Sequence, residues 1–127
     1  MARLPFPDAS FDAVVCIDVI HHGRLGEIRR AAGEIRRELR DGGLAIVNLL
    51  STSNYSAGAK ISKPGAREIE PDTFVGVGDA YSEHDVPHHF FSREEALQLF
   101  NGFNIISFSE SAVPGVRRAK WEIVAKK

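Results

Sequence analysis

The chain has 127 residues, 43% hydrophobic and 26% charged, the size and composition of one compact domain, 1–127, with enough chain to bury a core. Sixteen Lys and Arg against seventeen Asp and Glu leave a formal net charge of −1. No overall field gathers polyanions, so neither nucleic acid nor an anionic membrane is expected as a partner. A single cysteine, Cys16, excludes an intrachain disulfide and a metal site of several thiolates, and it fits a reducing, cytoplasmic setting. The longest apolar runs are too short to cross a bilayer, and the start lacks an apolar stretch of signal-peptide length.

In chain order, Leu4 to Ser10 reads as an extended turn, because Pro5 and Pro7 fix φ and remove donors. Phe11 to Ile20 follows as a strand whose centre, Ala13 to Ile17, is apolar on both faces, the pattern of a strand within a parallel sheet. Leu25 to Arg40 reads as a helix with Ile28, Ala32, Ile35 and Leu39 on one stripe, stopped by Gly42-Gly43. Leu44 to Leu50 is a second strand, broken in its apolar run only by Asn48. Strand, helix and strand at this spacing predict a right-handed parallel crossover.

Residues 51–91 show little periodicity and much Ser, Gly, Pro and Asp, so they are expected to form a long lid or substrate loop within the domain. Ser92-Arg93-Glu94-Glu95 is a capping box opening a short helix through Phe100, which Asn101-Gly102 ends. Phe103 to Phe108 and Trp121 to Ala125 are the last strands, and their connection permits an antiparallel hairpin.

The segment Leu-Pro-Phe-Pro-Asp-Ala-Ser-Phe-Asp-Ala-Val-Val-Cys-Ile-Asp-Val-Ile-His-His, followed by Glu-Ile-Arg-Arg-Glu-Leu-Arg-Asp-Gly-Gly-Leu-Ala-Ile-Val, resembles the second half of class I S-adenosylmethionine-dependent methyltransferases of the type 11 kind. Glu-His-Asp-Val-Pro-His-His-Phe-Phe-Ser-Arg-Glu-Glu-Ala-Leu and the final Trp-Glu-Ile-Val-Ala-Lys-Lys resemble the family's late helix and last strand. The resemblance implies an incomplete Rossmann-like α/β fold: a mixed sheet of about four strands in the order first, second, fourth, third, the last antiparallel, with flanking helices. It also implies transfer of a methyl group from S-adenosylmethionine to a small-molecule acceptor. The family's glycine-rich cofactor loop and ribose-binding acid have no counterpart here. Weak or absent cofactor binding by these residues alone is therefore expected, together with a homo-oligomer or a complementary chain that covers the apolar first strand. A noncatalytic methyltransferase-like module that oligomerises through that exposed edge is the alternative.

The resemblance places Ile17, Asp18 and Val19 on the cofactor cleft. The histidines fall into two groups, His21-His22 and His84 with His88-His89. Imidazole titrates near neutrality and can take a proton from a substrate hydroxyl or amine, which makes His22 or His88 the candidate general base. His21, Tyr55, His84, Asp85 and His89 are the candidate substrate contacts. Four histidines with Glu83 and Asp85 could also hold a metal, but the loop spacing favours a polar lid, and no metal is expected. The alternative for Asp18 is a turn cap, with the histidines on the surface. Arg29, Arg30, Arg36, Arg37 and Arg40 interleave with Glu27, Glu34 and Glu38, which reads as a solvated helix face. Cys16, inside an apolar strand, is expected to be protonated and inert.

Overall fold

The structure is a computed structural model that describes residues 3–54, 64–77, 85–112 and 119–127. Seven strands and two α-helices are described among them: β1 (Phe11–Cys16), α1 (Leu25–Glu38), β2 (Leu39–Leu50), β3 (Arg67–Glu70), β4 (Thr73–Val75), β5 (His88–His89), α2 (Arg93–Leu99), β6 (Asn104–Ser111) and β7 (Lys120–Lys126). The main sheet runs β1-β2-β7-β6, with β1 parallel to β2 and β7 antiparallel to both its neighbours. This is the predicted order, with the last strand inserted between the second and third.

One face of that sheet is covered. Val14 and Cys16 of β1, Ala45, Val47 and Leu49 of β2, and Trp121, Ile123 and Ala125 of β7 pack with Ile28, Ala32 and Ile35 of α1 and with Ala96 and Phe100. Residues alternate across a strand, so Val15 points away from this core, and it is 65% exposed.

Several boundaries differ from the expected ones for local reasons. β1 stops at Cys16 rather than at Ile20, because Asp18 adopts φ +57 and turns the chain out of the sheet plane. The helix ends at Glu38, and β2 begins at Leu39, which stands opposite Phe11. Gly42-Gly43 thus lies inside the strand. Glycine is required at position 43 by close approach: a Cβ there would sit 2.9 Å from the Arg40 carbonyl oxygen and 3.1 Å from that of Asp12. The segment expected to be a long loop contains a second, three-stranded antiparallel sheet, β3-β4-β5. Pro71 and Asp72 make its first turn, with Asp72 at φ +58.

Arg37 fastens the entry segment to α1: its guanidinium donates to the Phe6 and Leu4 carbonyls and pairs with Asp8, Glu34 and Glu38. Ser92 caps α2 as expected, its Oγ accepting from the Glu95 amide at 3.2 Å. The Glu95 carboxylate does not complete the box, since it reaches His89 instead.

Candidate functional site

The site begins where β1 ends. Ile17 and Val19 hold apolar side chains in solvent, 48% and 49% exposed, while Asp18 between them is tied back to the sheet. The Asp18 amide donates to Asn48 Oδ1 at 2.7 Å, and Asp18 Oδ1 accepts from Asn48 Nδ2 at 3.1 Å. Lys120, on the adjacent β7, closes an ion pair with the same carboxylate. That pairing, together with the Asn48 hydrogen bond, holds the Asp18 carboxyl below the usual carboxylate range. Asp18 does act in a turn, but the turn it stabilises is its own.

The chain then re-enters the protein. Ile20 and His21 are buried, His22 is half-buried, and the His22 amide returns to the Val19 carbonyl at 3.0 Å. β5 lies alongside: the His89 amide donates to the His21 carbonyl at 3.0 Å, and Gly23 donates to Pro87 at 2.8 Å. His22 and His88 pair as an isolated antiparallel bridge. One histidine of the second group, His88, therefore joins His21 and His22 in a cluster, with ring centroids 4.6 Å apart for His21 and His22, 4.5 Å for His22 and His88, and 6.4 Å for His21 and His88.

Each ring has its own electrostatic setting. Burial, reinforced by His22 and His88, pushes His21 down to about 3, so this imidazole is neutral at physiological pH. Its Nδ1 is buried and has no hydrogen-bond partner among the described residues. His88 Nδ1 lies 2.9 Å from the Val86 carbonyl oxygen, which can only accept, so that nitrogen carries a proton.

His89 is not brought to the crevice. It is buried beneath it, with Nδ1 at 2.7 Å from Thr73 Oγ1, Nε2 at 3.1 Å from Glu95, and its ring against Phe91 at 4.4 Å. Asp85 is exposed, at the entrance to β5. Tyr55 and His84 lie outside the described residues, as does Glu83. No group of three metal-binding side chains is found among the described residues. The Cys16 thiol is pushed up by burial, as its place in β1 requires. The sequence singled out neither Asn48 nor Lys120. The one available signal was a carboxamide interrupting an apolar strand.

An α/β sheet with polar groups gathered outside the carboxyl end of a parallel strand is the arrangement in which open Rossmann-like sheets bind ligands. Residues 1–47 match the sequence model of a family described as "Methyltransferase domain". A curated protein of Encephalitozoon cuniculi, assigned to the methyltransferases, is 30% identical over 107 residues, which are 82% of this chain and 50% of that protein. Among solved structures, an S-adenosylmethionine-dependent methyltransferase of Methanosarcina mazei superposes with TM-score 0.79 at 21% identity, over 98% of this chain and 62% of the other. The 1,6-didemethyltoxoflavin-N1-methyltransferase of Burkholderia thailandensis, solved with its 1,6-didemethyltoxoflavin and S-adenosylhomocysteine, superposes with TM-score 0.66 at 15% identity, over 96% of this chain and 46% of the other. Sequence and fold together show that the chain carries part of a methyltransferase domain. It spans about half the length of the curated relative it matches.

Proposed function

We propose that these residues form the acceptor side and one wall of an S-adenosylmethionine site in a methyltransferase acting on a small molecule. The observation that carries this reading is the convergence, at the carboxyl end of β1, of two exposed apolar side chains on a fixed turn with a cluster of three imidazoles. The residues suit the group chemically. Ile17 and Val19 offer apolar surface to a flat ring, and the orphaned Nδ1 of His21 offers a buried polar contact.

When bound, S-adenosylmethionine supplies a methyl carbon to which the acceptor forms a bond as the carbon–sulfur bond breaks, the electron pair staying on sulfur. The chain's own work is to orient the acceptor, exclude water and take its proton. His22 is half-buried, whereas His21 and His88 are buried, so its imidazole is the one that accepts the proton; His88, packed on it at 4.5 Å, holds the ring in place. Neutral His21 adds no charge beside it.

Calorimetric titration with S-adenosylmethionine and S-adenosylhomocysteine tests the cofactor part. Weak saturable binding, with each competing against the other and a Kd on the order of 1 mM, is the expected result. Tight, stoichiometric binding by these residues alone would overturn the reading that they form only one wall of the site.

A further inference from the structure

Asn48 is a buried carboxamide in the apolar run Ile46-Val47-Asn48-Leu49-Leu50 of β2. Burying such a group is costly unless both its oxygen and its nitrogen find partners. Both partners here belong to one residue. Oδ1 takes the Asp18 amide at 2.7 Å and Nδ2 takes the Asp18 carboxylate at 3.1 Å, closing a ring across two strands. Asp18 sits at φ +57, a left-handed conformation that aspartate adopts more readily than most residues but that still costs energy unless contacts favour it. Lys120, from the strand on the other side of β2, adds its ammonium to the same carboxylate oxygen. Two strands thus converge on one turn residue, and its neighbours on either side are the exposed Ile17 and Val19.

We propose that Asn48, seconded by Lys120, is a positioning residue for the crevice wall: it holds Asp18 in its left-handed turn, so that Ile17 and Val19 face the ligand while the Asp18 carboxylate is turned back into the sheet. This rests on the cofactor reading for what the wall is for, but not for how the wall is held. Asp18 then serves the site through backbone shape. Besides Lys120, the titratable group acting on the Asp18 carboxylate is His21, and Glu122 stands opposite Asn48 in register on β7.

The test follows the Asp18 amide and carboxyl signals by NMR in the 127-residue protein, and its affinity for S-adenosylhomocysteine. Asn48→Ala removes the acceptor and the donor, so exchange of the Asp18 amide should rise about tenfold and the affinity fall about as much. Asn48→Asp keeps the acceptor for the amide and sets two carboxylates against each other. The Asp18 carboxyl should then titrate at higher pH, and affinity lost at neutral pH should return in acid, where one proton is shared between the pair. A merely structural loss gives no such acid recovery. If Asn48→Ala fails to fold, Lys120→Gln still reads out, since it leaves the core intact and should raise the carboxyl titration by itself. Unchanged amide exchange and carboxyl titration in Asn48→Asp and Lys120→Gln would overturn the proposal. If the unmodified protein does not bind S-adenosylhomocysteine, the carboxyl and amide signals alone decide whether Asn48 sets the turn.

Discussion

His21 carries a buried imidazole nitrogen with no hydrogen-bond partner among the described residues and a folded-state pKa of about 3 against an ordinary 6.5. The unfolded chain binds that proton first, so stability is fully present above the unfolded value and is lost as pH falls from there toward about 3. The slope contributed by this one group is about 1.4 kcal/mol per pH unit within that window. Denaturant titrations at a series of pH values should show His21→Phe flattening the dependence by about one proton between pH 6.5 and the range where carboxylates titrate. A slope unchanged by the substitution would place the buried proton elsewhere. Sequence put Asp18 inside a strand running to Ile20 and His21 and His22 just beyond it, whereas the strand ends at Cys16 and all three lie in the turn that follows. It did not separate the fates of His88 and His89. Neighbours on a strand point to opposite sides, and which side meets the crevice is set by pairing with His22 far away in the chain.

The helices are held by contacts that cross between elements. Glu70 at the end of β3 accepts from the Leu25 amide at 2.7 Å, capping the amino terminus of α1 from the second sheet, while Glu27 accepts from the Arg24 amide at 2.9 Å. Thr73 Oγ1 stands between Glu70 and His89, and His89 reaches Glu95 in the first turn of α2, so one polar chain joins both helix starts. Replacing Ser92 by Ala removes the cap of α2 and should cost about 1 kcal/mol. Replacing Gly43 by Ala should cost more, about 1–3 kcal/mol, because the methyl group would meet backbone oxygens that cannot move aside. Chemical denaturation checks both, and equal costs would mean that β2 can shift away from Asp12. The Ser92 cap and the apolar stripe of α1 were legible because each is written within one turn of chain. The second sheet was not: its strands are two to four residues long, too short for alternation to register, and they are joined by pairing rather than by pattern.

At the scale of the molecule, the order β1-β2-β7-β6 gives β1 one neighbour among the described residues. The face opposite the core carries Val15 at 65% exposure and Ile17 beside it. An open apolar edge is an association site, so sedimentation should detect a dimer or larger species, and Val15→Lys should return it toward the monomer. A parent chain that stays monomeric at high concentration would contradict this expectation. The sheet order was legible through the family resemblance, since spacing alone fixes only that β1 and β2 are parallel and that β6 and β7 can form a hairpin. Whether a methyltransferase cofactor lies against the turn after β1 is read out by methyl NMR of Ile17 and Val19 during titration with S-adenosylhomocysteine. Saturable shifts are expected at these two residues, with Leu25 and Leu99, in the groove between α1 and α2, left unmoved. Saturable binding that moves Leu25 and Leu99 and leaves Ile17 and Val19 still would contradict that placement.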